Sequence, residues 1–226
     1  RRALASELEN FLAGVNGALA AGEPEVAADC ALAAAELFEM HGPYSDGIAL
    51  LERVSGQPVG RGTQVRLFRR AGRLLFIAGR YSEAVAHFQQ ANAIAREEGN
   101  RRVEGMTLGN LANLHRQQGR LPEALEYYQQ ALAIAREVGH RRSEGTILGN
   151  LGWPHHIQGR IPEALEDFQQ ALAIAREVGN RRNEGSNLGN LANLYRVQGR
   201  IPEALEHQQQ ALAIAREGGN RGDEGS

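Results

Sequence analysis

Side chains that could act as nucleophiles, bases or metal ligands are few in this chain, and they do not form a recognisable motif. The only cysteine, Cys30, lies in an alanine-rich stretch and is expected to be a small buried side chain. His140, His155 and His156 lie close in sequence, but no cysteine or carboxylate stands beside them at metal-ligand spacing. The sequence therefore predicts no catalytic centre, no metal site and no cofactor, and we expect a protein that is not an enzyme.

The charge composition narrows the classes of partner. All 25 cationic residues are arginine, and the 226-residue chain carries a formal net charge of -2. The absence of lysine excludes a Schiff-base lysine and a P-loop lysine. Without a basic excess, neither nucleic acid nor an anionic membrane is an expected partner. A single cysteine and the lack of a membrane-length apolar run favour a reducing, cytoplasmic location.

Internal repeats make up most of the chain. Three consecutive 40-residue segments run from Arg101 to Asn220, and the second and third match the first at 28 and 30 of 40 positions. A more diverged copy precedes them, and the closing letters RGDEGS repeat the opening of the next unit. The predicted domains are therefore a degenerate helical segment, 1–60, and a repeat array, 61–226, made of four repeats (61–100, 101–140, 141–180, 181–220) and a truncated fifth.

Each repeat has the pattern of two helices. In the first, Leu108, Leu111, Ala112 and His115 recur at the spacing of one helix face. A glycine then ends this helix, and a proline opens the second helix in its first turn. No strand pattern occurs. Because a hairpin of this size cannot bury its own apolar face, neighbouring hairpins must stack, which predicts an all-α fold.

The repeat resembles the tetratricopeptide repeat. It shares a large-x-x-large-small pattern, a turn glycine and a second helix with the pattern A-x-x-x-aromatic-x-x-A. Its period of 40 exceeds the usual 34 or so, which is similar to the arrays of kinesin light chains and partner-of-inscuteable adaptors. The resemblance implies a right-handed α-solenoid of stacked antiparallel helix hairpins. It is carried by Leu108, Leu111, Ala112, Gly119, Ala124, Tyr128 and Ala131 and their equivalents in the later repeats.

The first sixty residues have a different pattern. Apolar residues at helical spacing predict one helix through Leu4 and Leu19, and two more follow at residues 26–40 and 44–54. The Gly- and Pro-containing segment 55–62 is the predicted domain boundary. This region resembles the degenerate helical repeats of bacterial STAND-type (NB-ARC) signalling ATPases. That resemblance implies an alternative function, a sensor or autoinhibitory arm of a larger ATPase whose nucleotide-binding module lies outside these residues.

The tetratricopeptide resemblance also implies a binding surface. In that family the first helix of each hairpin lines a concave groove, which here would bind a peptide or helix of a partner protein. Four of six groove positions differ between the repeats, although most other positions are constant. Drift of exposed residues is the alternative explanation. The predicted groove residues are Arg69, Arg73, Asn110, Asn113, Arg116, Asn150, Trp153, His156, Asn190, Asn193 and Arg196.

Three groove features have two readings each. The equivalent residues Asn110, Asn150 and Asn190 can bond the backbone of a ligand or a neighbouring helix. The groove arginines favour an acidic ligand, although surface arginine commonly serves solubility alone. Gly109 and its equivalents lie inside helices, where glycine costs about 1 kcal/mol relative to alanine. Either close helix packing or a low groove floor explains that cost.

Two further features bear on function. Pro154 is expected to kink its helix, so Trp153 either anchors a ligand or fills the space that the kink opens. The last predicted helix, residues 201–217, has no polar capping helix after it. Its apolar side suggests a third function, a self-assembling scaffold.

Overall fold

The chain forms eleven α-helices and no strand in the part that a computed structural model describes, residues 2–223, with side chains described for 6–217. The three helices predicted before residue 60 and the two helices of each repeat are all present, which confirms the all-α fold. The helices are α1 Arg2–Ala20, α2 Pro24–His41, α3 Tyr44–Ser55, α4 Arg61–Ile77, α5 Tyr81–Glu97, α6 Arg101–Gln117, α7 Leu121–Glu137, α8 Arg141–Ile157, α9 Ile161–Glu177, α10 Arg181–Val197 and α11 Ile201–Asp223.

Local sequence sets the helix ends. Asn100, His140 and Asn180 precede α6, α8 and α10, and each side chain accepts a hydrogen bond of 3.2 Å from the backbone N–H three residues later. These bonds satisfy N–H groups that the helix leaves unpaired. His140 is thus a helix cap. The turn between α6 and α7 contains Gly119, whose φ of 74° lies in the left-handed region that favours glycine.

The chain divides into two compact units between Gln118 and Gly119. In unit one, α1 to α6, each helix packs on the next, and α2 also contacts α4. In unit two, α7 to α11, each helix again packs on the next, and α8 also contacts α10. Stacking of helix hairpins is therefore present within each unit. The predicted domain boundary at residues 55–62 stays a prediction.

Apolar side chains from successive helices form the core of each unit. In unit two, Phe168 and Leu172 of α9 pack with Leu188, Leu191 and Tyr195 of α10. In unit one, Phe88 of α5 is buried over the position of Gly72 in α4. The same repeat positions thus supply the core each time, as the periodicity predicts.

A buried carboxylate joins each hairpin to the next. Glu184 at the start of α10 accepts a bond of 3.2 Å from Arg176 of α9 and one of 2.6 Å from Arg181, and its side chain is only 10% exposed. Glu144 has the same partners one repeat earlier, Arg136 at 3.0 Å and Arg141 at 2.5 Å. Two guanidinium groups on one carboxylate fix the position of the incoming helix relative to the preceding one.

We expect Glu184→Gln to lower the free energy of unfolding by about 1–3 kcal/mol, because it removes the charge that holds two arginines at a buried junction. Urea denaturation followed by circular dichroism measures the change. The control is Glu206→Gln, whose carboxylate is exposed and, among the described residues, is bonded only to Gln210. Equal stability of the two variants would show that the junction carboxylate contributes nothing.

Acid is expected to weaken the stack. Hydrogen bonds from Arg80 and Arg141 lower the pKa of Glu83 and of Glu177 below their ordinary value of 4.5. Just below pH 4.5 the unfolded chain therefore binds more protons than the folded chain. These carboxylates stabilise the fold above pH 4.5 and lose this effect as the pH falls. A pH series of unfolding free energies at low salt should decline below about 4.5. Glu177→Gln should make the decline shallower; an unchanged slope would contradict the assignment.

Candidate functional site

We call the exposed side of the first helices the first-helix face. It comprises the predicted groove positions of α4 and α6 in unit one and of α8 and α10 in unit two. Five of the eleven predicted residues lie in unit one and six in unit two.

In unit one, the arginines of α4 differ in their partners. Three of them form salt bridges with acidic side chains of α2. These are Arg66 with Asp29, Arg70 with Glu36 and Glu39, and Arg73 with Glu39 at 2.5 Å. Arg69 has no hydrogen-bond partner among the described residues, and its Nε atom is buried. Burial lowers the pKa of Arg69, and the charge of Arg70 lowers it further. Arg69 is therefore the α4 cation of this face that lacks a counter-charge.

The α6 part of the face contains polar side chains with unused hydrogen-bonding groups. The half-buried side chain of Asn110 makes no hydrogen bond within the described part of the protein. The Nε atom of Arg116 is buried and also has no acceptor there. Asn113, one turn along, is half-buried.

In unit two, the same asparagine position recurs. Asn150 of α8 and Asn190 of α10 are half-buried, and neither side chain has a hydrogen-bond partner among the residues that the structure describes. Neighbouring helices are joined elsewhere, by Asn183 donating to Thr146 Oγ1 at 2.9 Å. The amides of Asn150 and Asn190 therefore do not hold the helices together.

The outer end of the face in unit two contains Asn193, Arg196 and His156. Arg196 donates to Asn193 Oδ1 at 2.8 Å, so these two predicted residues are brought together. The Nδ1 atom of His156 is buried and has no partner in the described part of the chain.

Trp153 lies between this face and the core. Its half-buried ring is edge-on to Phe168, with centroids 6.2 Å apart, and to His156 at 6.0 Å. The α8 helix continues through the buried Pro154 to Ile157. Trp153 thus packs on the core through one edge, and the proline does not end the helix.

The helical glycines of the face do not share one explanation. A Cβ atom on Gly109 or Gly189 would have no heavy-atom neighbour within 4 Å, whereas one on Gly149 would lie 2.8 Å from Asn187 Oδ1. Close packing therefore accounts for Gly149 alone. Packing does not require glycine at Gly109 or Gly189. The lack of a side chain there leaves the helix backbone uncovered.

A buried hydrogen-bonded pair of α8 and α9 was not predicted from the sequence. His155 Nδ1 of α8 lies 2.7 Å from Asp167 Oδ2 of α9, and both side chains are buried. Burial raises the pKa of Asp167. The equivalent residues of the next hairpin, Tyr195 and His207, have ring centroids 5.1 Å apart. A comparison of positions 155 and 167 with their equivalents in the other repeats could have indicated this pair from the sequence.

Alanine at two glycines should have opposite effects. Gly109→Ala meets no atom and should stabilise the chain by about 1 kcal/mol through helix propensity. Gly152→Ala places a Cβ 2.7 Å from the ring of Phe168 and should destabilise it by about 1–3 kcal/mol. Urea denaturation of both variants checks this. The packing assignment is wrong if both changes stabilise the chain.

The described residues contain no group of three or more His, Cys, Asp or Glu side chains that could hold a metal ion. None of the helices in the described part is long and apolar enough to cross a membrane.

Family comparison assigns the chain to a class. The tetratricopeptide repeat model matches residues 63–137, 103–177 and 143–217, which together span more than half of the sequence. The chain belongs to the tetratricopeptide repeat family, whose fold serves as a protein-interaction module. No curated protein matches the chain by sequence.

Three solved structures share this fold. BtubC from P. vanneervenii superposes with a TM-score of 0.82 at 18% identity, covering 95% of this chain and 92% of its own. A putative kinesin light chain from Podosopora anserina with nearly identical repeats gives 0.68 at 21%, covering 84% and 95%. A STAND protein with a tetratricopeptide repeat sensor from Pyrococcus horikoshii gives 0.74 at 18%, covering 85% of this chain and 30% of its own. Both predicted resemblances, to kinesin light chains and to STAND proteins, are thus matched at the level of fold.

Proposed function

We propose that the first-helix face of each unit binds a peptide or helix of a partner protein. The observation that carries this proposal is the set of equivalent asparagines, Asn110, Asn150 and Asn190. Each is half-buried, yet its side-chain amide has no partner among the described residues. A side-chain amide offers both donors and an acceptor, which matches the alternating groups of a peptide backbone.

The open glycines support the same function. Gly109 and Gly189 each adjoin one of these asparagines in sequence, and an added Cβ would meet nothing. Their cost of about 1 kcal/mol in helix stability is not offset by packing. A bare helix surface beside each amide lets a ligand backbone come within hydrogen-bonding distance.

The unpaired cations suggest the charge of the ligand. Arg69 and Arg116 each have a buried Nε atom without an acceptor in the described part of the protein. A buried donor left unpaired costs about 1–3 kcal/mol. A carboxylate on the partner would supply the counter-charge that these two guanidinium groups lack, so an acidic peptide is the preferred ligand in unit one.

The decisive test replaces Asn110, Asn150 and Asn190 together by alanine. Peptides selected from a displayed library against the full chain serve as ligands, and fluorescence anisotropy measures their affinity. We expect affinity to fall at least about tenfold, since each lost hydrogen bond contributes about 0.5–1.5 kcal/mol.

A matched control separates binding from folding. Gln89, Gln129 and Gln209 are exposed amide side chains on second helices, and their joint replacement by alanine should leave peptide affinity unchanged. Both triple variants should keep the helical dichroism of the parent. If the groove variant folds and binds the selected peptides as tightly as the parent, the proposed function is wrong.

A second candidate function is the sensor arm of a larger signalling ATPase. The similarity to the Pyrococcus horikoshii STAND protein favours it, because that protein carries its repeats as a sensor. The present chain spans about a third of that protein's length. Sequencing the whole reading frame tests the candidate, since it requires a nucleotide-binding module in the same polypeptide.

A further inference from the structure

Each of the helices α6, α8 and α10 begins with two adjacent arginines, and the first of the two has carboxylate partners. In α8, Arg141 donates to Glu144 at 2.5 Å and to Glu177 of α9 at 2.6 Å. In α10, Arg181 donates to Glu184 at 2.6 Å and also pairs with a carboxylate of α11. The first arginine of each pair therefore holds its own hairpin together.

The second arginine of each pair has different surroundings. Arg102, Arg142 and Arg182 are exposed, and their side chains make no salt bridge or hydrogen bond within the described part of the protein. Arg142 has this exposure although a further hairpin, α10–α11, follows it. An unpaired cation is unfavourable at the start of a helix, where the positive end of the helix dipole lies. Its presence in three repeats is therefore not explained by the fold.

Helix periodicity places these arginines in line with the first-helix face. Arg142, Gly149 and His156 follow one another at intervals of seven residues, so they lie on one side of α8, about two turns apart. Arg182 and Arg196 are two such intervals apart on α10. Arg142 and Arg182 therefore continue the first-helix face of unit two toward the starts of its helices.

A hydrogen-bonded bridge joins the starts of α8 and α10 beside these two arginines. Thr146 Oγ1 donates to the backbone carbonyl of Arg142 at 2.9 Å and accepts from Asn183 Nδ2 at 2.9 Å. Asn183 directly follows Arg182 in the sequence. The backbones that carry the two guanidinium groups are thus fixed relative to each other.

We propose that Arg142 and Arg182 together bind a pair of carboxylate side chains on the partner protein. The proposal rests on the proposed function, because the same peptide would contact Asn150 and Asn190 farther along the two helices. Two guanidinium groups that lack a counter-charge are matched by two carboxylates. Unit one lacks such a pair, since the equivalent residue of α4 is Gly62.

The number of charges favours a short acidic stretch of protein over a nucleic acid. The adjacent Arg141 and Arg181 already pair with carboxylates, so the local excess at the site comes from two cations. The whole chain has a formal net charge of -2. A nucleic acid is bound through many cations along its backbone, whereas two carboxylate side chains need only two.

The test compares two double variants that remove the same charge. The site variant combines Arg142→Gln with Arg182→Gln. The control variant combines Arg160→Gln with Arg200→Gln, because these exposed arginines are also one repeat apart but each pairs with a carboxylate three residues later. Peptides selected from a displayed library against the full chain are the probes, and fluorescence anisotropy measures their affinity.

We expect the parent to select peptides that contain two close Asp or Glu residues. At low salt the site variant should bind them about tenfold more weakly, whereas the control variant should bind them like the parent. The difference should shrink to about twofold or less at high salt, because salt screens exposed ion pairs. Replacing the two acidic residues of the peptide by Asn or Gln should abolish it. Selected peptides without acidic residues, or equal affinities of parent and site variant at low salt, would overturn the proposal.

The thermal midpoint distinguishes binding from a structural role. The site variant removes unpaired charge from the positive helix ends, so its midpoint should equal or exceed that of the parent. Arg141→Gln should lower the midpoint, since it breaks two ion pairs. A lowered midpoint in the site variant would assign Arg142 and Arg182 to the fold instead. Tighter binding of a short oligothymidylate than of the selected peptides would overturn the assignment to a protein ligand.

The outcome is separable from that of the proposed function. If selected peptides lose affinity in the asparagine variant but not in the arginine site variant, the peptide function stands and the carboxylate site is wrong. If they lose affinity only in the arginine site variant, the carboxylate site stands and the assignment of peptide binding to the asparagines is wrong.

Discussion

The rest of the structure depends on one constraint, the inability of a single 40-residue hairpin to bury its apolar residues. Phe168 of α9 packs both on α8 of its own hairpin, at Gly152, and on α10 of the next hairpin. The carboxylate of Glu184, held by Arg176 and Arg181, fixes where the covering helix lies. Residues on the first-helix face differ more between repeats than the residues that stack.

Repetition made most of the fold predictable. The spacing of Leu108, Leu111 and Ala112 and the turn at Gly119 sufficed to place both helices of a repeat, because helix periodicity and capping are local properties. The family followed from the same residues. The capping role of His140 was not foreseen, since a lone histidine before a helix carries no marker of its own.

Contacts between helices could not be predicted from the sequence. Arg69 and Arg73 look alike in the sequence, yet only Arg73 meets a carboxylate, Glu39 of α2. The pairing of His155 with Asp167 likewise depends on which faces of α8 and α9 meet. The sequence therefore predicts which residues belong to the candidate surface, whereas the ion pairs that each of them makes depend on the three-dimensional structure.

Trp153 has a consequence for how the array can be studied. It is the only tryptophan of the chain, and its indole lies beside Phe168 and His156 and packs on a core cluster that includes residues of α10. Its fluorescence emission therefore reports on melting around this hairpin and its contact with α10, while circular dichroism averages over the helices of the whole chain. Repeat arrays are approximately linear chains of coupled units, so the separation between the two transitions measures how strongly this hairpin is coupled to its neighbours.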